Sequence, residues 1–179
     1  MNKYTSYLKK SSLYLYIMAI IVSCNPMLKG QSPVVGSSSY RVMLKALLDH
    51  SVPEMSVETA AILHGKSIFL DAREVSEYEV SHIADAQFVG YDHFDINSIK
   101  DISKNKPIIV YCSVGYRSEK ISEQLIAAGY KDVHNMYGGL FEWKNQGHQV
   151  IDTTGNQTEK VHAFSKSWGV WLKKGEKVY

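Results

Sequence analysis

The sequence predicts an α/β fold with a mostly parallel central β-sheet and helices on both faces. Short apolar strands alternate along the chain with segments of helical spacing, a pattern typical of a parallel sheet with crossover helices. Residues 107–111 form a continuous apolar run, which indicates a strand buried on both faces. A length of 179 residues, 45% of them hydrophobic, fits one such domain with residues left over for terminal segments.

The elements are predicted in order from hydrophobic spacing and from their end signals. Helices are predicted over residues 40–48, 57–63, 74–80, 118–128 and 140–145. Strands are predicted over residues 66–71, 85–89, 107–111 and 133–137. Ser56 is a suitable N-cap for the second helix, and Gly129 suits the left-handed position that ends the fourth.

Residues 1–24 have the pattern of an export signal. Three lysines precede ten apolar residues at 13–22, a run too short for the roughly 20 residues of a membrane-spanning helix but typical of a secretory signal. The run ends in Ile21-Val22-Ser23-Cys24, which resembles the bacterial lipoprotein box. This resemblance implies that Cys24 is acylated and becomes the new N-terminus. A plain signal or an uncleaved anchor helix is the alternative.

The predicted organisation has four parts. Residues 1–23 are a signal peptide, 24–39 a flexible Gly-, Ser- and Pro-rich tether, 40–154 the domain and 155–179 a C-terminal extension. The acyl chains on Cys24 would make the lipid membrane a partner, with the domain in the periplasm of a bacterial cell envelope. Asn25 follows the lipid site where lipoproteins retained at the inner membrane of enteric bacteria have Asp, which favours the outer membrane.

Charge argues against nucleic acid as a partner. The formal net charge is +2, but residues 1–23 hold three of the 20 basic residues and none of the 18 acidic ones. The remainder has 17 basic against 18 acidic residues, a net charge of −1. Binding to duplex DNA needs a clustered basic surface, which this balance does not provide.

The chemistry is predicted at Cys112, which directly follows the buried strand 107–111. Ligands of α/β sheets bind beyond the carboxyl ends of strands, and here the next segment opens a helix. Backbone N–H groups and the helix dipole can therefore converge on the sulfur, Gly115 allows a positive φ, and Arg117 adds a fixed positive charge. These features favour a nucleophilic thiolate. A buried structural cysteine is the alternative.

The segment Cys112-Ser113-Val114-Gly115-Tyr116-Arg117-Ser118 resembles the Cys-x-x-Gly-x-Arg-Ser loop of single-domain sulfurtransferases of the rhodanese family. Further family motifs are matched in order by Leu70-Asp71-Ala72-Arg73 with Glu77-Tyr78, by Ser81-His82-Ile83-Ala84-Asp85-Ala86, by Ala128-Gly129-Tyr130-Lys131-Asp132-Val133, and by Gly138-Gly139-Leu140-Phe141-Glu142-Trp143. The similarity runs from residue 55 to residue 150 and implies a rhodanese-like fold.

The resemblance also implies a reaction and the roles of the loop residues. Cys112 would take sulfane sulfur from thiosulfate or a persulfide, carry it as a persulfide, and pass it to cyanide or a thiol, with no cofactor and no metal. Arg117 would bind the anionic donor and stabilise the thiolate. The donor would be held by the amides of the loop and by its side chains, at Ser113, Val114, Gly115, Tyr116 and Ser118, with Ser118 also the N-cap of the helix.

Two other function classes are compatible with the sequence. Related phosphatases and arsenate reductases have five residues between Cys and Arg, whereas only four separate Cys112 from Arg117, so the shorter loop suits one sulfur atom better than a tetrahedral oxyanion. The other alternative is a non-catalytic or redox-sensing module in which Cys112 never turns over.

Asp71 and Arg73 are interpreted mainly as architectural. Arg73 and Glu77 are spaced i,i+4 and are expected to pair, while Asp71 at a strand end remains a candidate for the pocket. In the C-terminal extension, Phe164, Trp168, Trp171 and Leu172 have helical spacing. We expect a short amphipathic helix docked on the domain, with a protein-binding or membrane-surface element as the alternative.

Overall fold

The computed structural model describes residues 33–179, so the predicted signal peptide, Cys24 and most of the predicted tether lie outside the described residues. The helices are α1 (Ser38–Leu47), α2 (Val57–Ile62), α3 (Val75–Val80), α4 (Tyr116–Ala127) and α5 (Gly139–Asn145). The strands are β1 (Glu54–Met55), β2 (Ile68–Asp71), β3 (Gln87–Phe88), β4 (Ile108–Tyr111), β5 (Val133–Met136), β6 (Val150–Ile151), β7 (Gln157–Thr158), β8 (Lys160–His162) and β9 (Glu176–Val178). Residues Ile96–Ile99 and Gly169–Trp171 form 3₁₀-helices.

The predicted α/β fold is confirmed. Five strands form a sheet in the order β1-β5-β4-β2-β3, and every pair in it is parallel. The apolar run predicted as a doubly buried strand is β4, the central strand, and its four residues are all buried. The carboxyl end of β4 therefore lies in the middle of the sheet edge, where the loop that follows it meets the ends of β2 and β5.

Side chains of β4 alternate between two hydrophobic cores, as the period of a strand requires. Ile109 and Tyr111 face a core shared with α1, α2 and α5, while Ile108 and Val110 face a core shared with α4. Burial on both faces holds the strand, and hence Cys112 directly after it, in a fixed position.

The end signals of two helices are confirmed. Ser56 caps α2, with its Oγ accepting a hydrogen bond from the Thr59 amide at 3.2 Å. Gly129 follows the end of α4 with φ of +91°.

The described end of the predicted flexible tether is packed against the domain, which corrects the expectation for residues 33–39. Val35 is fully buried, and the Gly36 amide donates to Glu142 Oε1 at 2.8 Å. Helix α1 begins at Ser38, capped by Ser37. The Gly, Ser and Pro content is typical of a linker, but one buried valine and one long-range hydrogen bond are enough to fasten the segment.

The prediction of an amphipathic helix in the C-terminal extension is wrong. The segment forms β8 and β9, which pair in parallel, with the 3₁₀-helix Gly169–Trp171 between them. It is nevertheless docked, as expected: Val161 and Leu172 are fully buried, and Trp171 stacks on Tyr40 with ring centroids 5.3 Å apart. The aromatic spacing arises because Trp168 and Trp171 pack against the domain core from a turn rather than from a regular α-helix.

Within residues 33–179, no helix combines the length and the apolar character that crossing a bilayer would require.

Candidate active site

Cys112 lies between β4 and α4, with its side chain almost wholly buried. Its Sγ accepts a hydrogen bond from the Gly115 amide at an N–S distance of 3.1 Å. This is the contact expected for a sulfur at the start of a helix, where backbone N–H groups are not used within the helix itself. An amide donor at this distance stabilises negative charge on the sulfur.

The loop closes around the sulfur because Gly115 adopts a φ of +123°, as predicted for it. Gly115 is the N-cap of α4, which begins at Tyr116. Ser118 is consequently a residue of the first turn of the helix, and its predicted role as N-cap is wrong. The backbone reversal that a glycine permits replaces the side-chain cap that a serine would supply.

Ser118 faces the sulfur from within the helix. Its Oγ lies 3.6 Å from Cys112 Sγ, 3.1 Å from the Gly115 carbonyl oxygen and 2.7 Å from Asn135 Oδ1. Asn135, on β5, is fully buried and donates through Nδ2 to the Gly115 carbonyl oxygen at 3.0 Å. Asn135 thus holds both Ser118 and the peptide on the far side of Gly115.

The start of α5 holds the other side of the loop. The amides of Leu140 and Phe141 donate to the carbonyl oxygens of Cys112 and Ser113 at 2.8 and 3.0 Å. Gly139 makes this approach possible, because a Cβ there would lie 2.5 Å from the Cys112 carbonyl oxygen. The Gly138-Gly139 pair is therefore part of the machinery that positions Cys112.

Arg117 forms a bidentate ion pair with Glu77 of α3. Its Nη1 and Nη2 donate to Glu77 Oε2 and Oε1 at 2.6 and 2.8 Å, and Nη2 also donates to Ser113 Oγ at 3.0 Å. Burial tends to lower the pKa of Arg117, but the hydrogen bonds with Glu77 and the nearby Cys112 sulfur raise it above its ordinary value. The guanidinium is fixed beside the loop, and its hydrogen bonds go to Glu77 and Ser113 rather than to Sγ.

The pairing expected between Arg73 and Glu77 is wrong. Arg73 pairs with Asp71, with Nε 2.9 Å from Oδ1 and Nη2 2.6 Å from Oδ2, and both side chains are fully buried. Arg73 Nη2 also donates to the Ser81 carbonyl oxygen at 2.6 Å. Asp71 does not line the cavity at Cys112. This pair lies at the end of β2 and, through Ser81, fastens the end of α3 to the sheet.

A cavity of about 320 Å³ opens over Cys112. One side is formed by the loop and the first turn of α4, through Cys112, Ser113, Val114, Tyr116 and Arg117. The other side is formed by residues distant in sequence, namely Leu47 at the end of α1 and Phe164 and Trp168 of the C-terminal segment. Three of the predicted substrate-binding residues, Ser113, Val114 and Tyr116, therefore face the cavity, while Gly115 and Ser118 contact the sulfur.

A model of the rhodanese-like domain matches residues 56–146, just over half of the chain. The chain belongs to the rhodanese-like family. The site described above thus lies in a rhodanese-like domain, at the position where the motif resemblance had placed it.

Two curated relatives of this rhodanese-like protein have different names. The thiosulfate sulfurtransferase GlpE of Coxiella burnetii is 31% identical over 93 residues, which cover 50% of this chain and 81% of the relative. The tRNA uridine(34) hydroxylase of Pectobacterium atrosepticum is 35% identical over 86 residues, which cover 45% of this chain but only 24% of that protein. Both matches involve a rhodanese-sized region of this chain.

A solved structure supports the fold assignment. The rhodanese-like domain of a protein from Anabaena sp. superposes with a TM-score of 0.52 at 22% sequence identity, covering 56% of this chain and 80% of that one. The rhodanese-like fold is therefore shown by sequence and by structure.

Several residues of the site could not be identified from the sequence. The spacing of Arg73 and Glu77 predicts the wrong partner for Glu77, and no motif marks Asn135, which lies inside a predicted strand. A polar side chain in a strand expected to be buried was the available signal for Asn135. Nothing in the sequence indicated that Phe164 and Trp168 would reach Cys112. Among residues 33–179, no group of three or more His, Cys, Asp or Glu side chains is placed to hold a metal ion.

Proposed function

We propose that this rhodanese-like protein is a sulfurtransferase that carries sulfane sulfur on Cys112. The observation that supports this best is the position of Cys112, which lines the cavity and whose Sγ accepts a hydrogen bond from the Gly115 amide at 3.1 Å. A cysteine at the wall of a cavity can meet a donor that enters it, and the amide stabilises negative charge on its sulfur. A purely structural cysteine would need neither feature.

The proposed first half-reaction is an attack by the Cys112 thiolate on the outer sulfur of thiosulfate or of a persulfide. A bond forms between Sγ and that sulfur, the S–S bond of the donor breaks, and its electron pair leaves with sulfite or with a thiolate. In the second half-reaction, cyanide or a thiolate attacks the terminal sulfur. Cys112 leaves as a thiolate, and the product is thiocyanate or a new persulfide.

The residues around Cys112 supply what this chemistry needs. Both the attacking species and the persulfide are anions, so the Gly115 amide stabilises each of them. The hydroxyl of Ser118, 3.6 Å from Sγ, can turn from Asn135 toward the terminal sulfur. No proton moves in either half-reaction, so the reaction needs no general base beside Cys112.

The observations favour sulfur transfer over the other classes considered from the sequence. With four residues between Cys112 and Arg117, and with Arg117 bonded to Glu77 and Ser113, the guanidinium is not free to clasp a tetrahedral oxyanion. A redox-sensing module remains an outcome of the test. We do not propose hydroxylation for this chain, since it spans only 24% of the hydroxylase that it resembles.

The decisive experiment records the intact mass of the full chain after incubation with thiosulfate, for the wild type and for Cys112→Ser. We expect a gain of one sulfur atom that requires Cys112 and that cyanide removes as thiocyanate. A gain of sulfur that persists in Cys112→Ser would show loading at another group and would count against the proposal. If neither thiosulfate nor a low-molecular-weight persulfide loads Cys112, the proposal is wrong, and a binding or sensing role takes its place.

We also propose that the protein is exported and anchored by lipid on Cys24, in the periplasm and preferably at the outer membrane. The support is the lysine-rich start, the ten-residue apolar run and the Ile-Val-Ser-Cys sequence. The test is partition of the protein expressed in a bacterial host between detergent and aqueous phases. The wild type is expected in the detergent phase, with the mass of an acylated N-terminal cysteine. Cys24→Ala is expected to lack this modification and to stay out of the detergent phase. An unmodified Cys24 in the mature chain would contradict the proposal.

A further inference from the structure

The C-terminal segment builds one wall of the cavity over Cys112. Phe164 and Trp168 lie in the connection between β8 and β9, outside the region matched by the rhodanese-like family. Together with Leu47 and Val114 they give the cavity a mainly apolar lining. Ligand pockets of about 300–1,000 Å³ with apolar walls and a few polar groups are typical of small organic ligands, and this cavity of about 320 Å³ lies in that range.

Phe164 is held at the cavity by hydrogen bonds and packing of the backbone around it, because its own side chain is not buried. Its ring is half exposed, and its φ is +63°, a region that a Cβ disfavours. The Phe164 amide donates to His162 Nδ1 at 3.2 Å, and on the preceding side Ala163 is fully buried with its amide bonded to the Val178 carbonyl oxygen at 2.8 Å. Strained residues that persist in a fold are found preferentially where ligands bind.

The charge of the cavity does not suit a dianion. Among residues 33–179, Arg117 is the only basic residue lining it, and its charge is balanced by the bidentate carboxylate of Glu77. Glu74 Oε1 lies 4.0 Å from Arg117 Nη1 and adds a second negative charge. The Arg117 guanidinium carbon is 5.4 Å from the centre of the Phe164 ring, so an aromatic group also lies against the cation.

From this combination we infer that the cavity selects organic sulfane-sulfur donors with an apolar body and a single negative charge, in preference to thiosulfate. Phe164 and Trp168 are the residues that determine this specificity. The inference rests on the proposed sulfurtransferase function and names its donor class. With a thiosulfonate, the Cys112 thiolate bonds to the outer sulfur, the S–S bond breaks, and the organic sulfinate leaves with the electron pair.

The experiment compares the rate of persulfide formation on Cys112 of the full chain with benzenethiosulfonate and with thiosulfate. For the wild type we expect a larger kcat/KM with benzenethiosulfonate. Phe164→Ala should lower that value about tenfold, the size expected for loss of one large apolar contact, and change the thiosulfate value less than about threefold. Phe164→Lys should lower the benzenethiosulfonate value further while raising the thiosulfate value, because it adds a cation and removes the apolar wall.

Val170→Ala and Val170→Lys are matched controls. Val170 is a half-exposed apolar residue of the same segment that does not line the cavity, so neither change should alter the ratio of the two donors. Comparing Phe164→Lys with Val170→Lys separates the effect of a positive charge in the cavity from the effect of an added charge elsewhere on the surface. A damaged fold would lower both rates together and show a reduced thermal midpoint, whereas opposite changes for the two donors cannot arise from unfolding.

The outcomes separate the two proposals. Loading by thiosulfate that is equal to or faster than loading by benzenethiosulfonate, or a donor ratio unaffected by Phe164→Ala and Phe164→Lys, would overturn the specificity inference and leave sulfur transfer standing. Loading by neither donor would overturn the proposed function itself. Opposite effects of Phe164→Lys on the two donors, absent from Val170→Lys, would establish the inference.

Discussion

The carboxylate of Glu77 accepts two hydrogen bonds from the guanidinium of Arg117, with N–O distances of 2.6 and 2.8 Å. The pair joins α3 to the first turn of α4 across 40 residues of sequence. Glu77 Oε1 also accepts the Ser113 hydroxyl at 2.9 Å. A single carboxylate therefore anchors the loop that contains Cys112 and balances the positive charge beside it.

We expect Glu77→Gln to lower the free energy of unfolding by about 1–3 kcal/mol, because Arg117 would lose a charged partner at a mostly buried position. Urea denaturation of the full chain measures this change. Glu79→Gln is the control, since Glu79 is an exposed residue of the same helix and its replacement should cost less than about 0.5 kcal/mol. Equal effects of the two substitutions would show that the ion pair contributes no stability.

Glu77 should also make stability depend on pH. Burial raises the pKa of Glu77, but the hydrogen bonds and charge of Arg117 lower it more, so that in the folded protein this pKa lies below its ordinary value of 4.5. The unfolded chain binds the proton more readily, so the stabilisation is complete above that value and is lost as the pH falls through the folded-state pKa. We expect the difference in unfolding free energy between the wild type and Glu77→Gln to shrink as the pH falls below about 5. A difference that stays constant as the protein is acidified would contradict the assignment.

Asn135 is expected to matter to the reaction although it does not touch the sulfur. Asn135→Ala removes one of the donors to the buried Gly115 carbonyl oxygen and frees the Ser118 hydroxyl, so Gly115, whose amide donates to Sγ, loses part of its support. We predict a fall of about tenfold in the rate of persulfide formation, measured by intact mass against time. Asn105→Ala, at an exposed loop position, should leave the rate unchanged. An unchanged rate in a folded Asn135→Ala protein would assign Asn135 a structural role alone.

Gly139→Ala tests the close approach of α5 to the loop. A Cβ at Gly139 would lie 2.5 Å from the Cys112 carbonyl oxygen, whereas a Cβ at Gly129 would meet nothing within 4 Å. Both residues have positive φ, so Gly129→Ala carries the backbone strain without the clash. We expect Gly139→Ala to destabilise the protein by at least about 1 kcal/mol more than Gly129→Ala and to slow persulfide formation, which Gly129→Ala should not affect. Thermal denaturation and intact mass measure the two effects, and equal losses would refute the steric argument.

The predicted elements and the observed ones agree where the signal is local. The strand at 107–111 is an uninterrupted apolar run, and the helix that follows it is bounded by Gly115 and Gly129, so both can be identified from neighbouring residues. The sequence pattern failed in the C-terminal extension, where four apolar residues with helical spacing lie in a β-paired segment. Spacing predicts a helix only when all the apolar residues face one surface, and here Phe164 and Leu172 face different ones.

Local sequence is enough to predict the fold class, the central strand, the position of Cys112 at its end and the glycine turn around it, because each depends on residues that are adjacent in the chain. Packing between distant elements establishes that Arg117 pairs with Glu77, that Asn135 supports the loop, and that Phe164 and Trp168 line the cavity over Cys112. These contacts join residues from different elements. Their formation depends on the order of the strands and on which surfaces remain to be buried once the sheet has formed, and neither is encoded in local spacing.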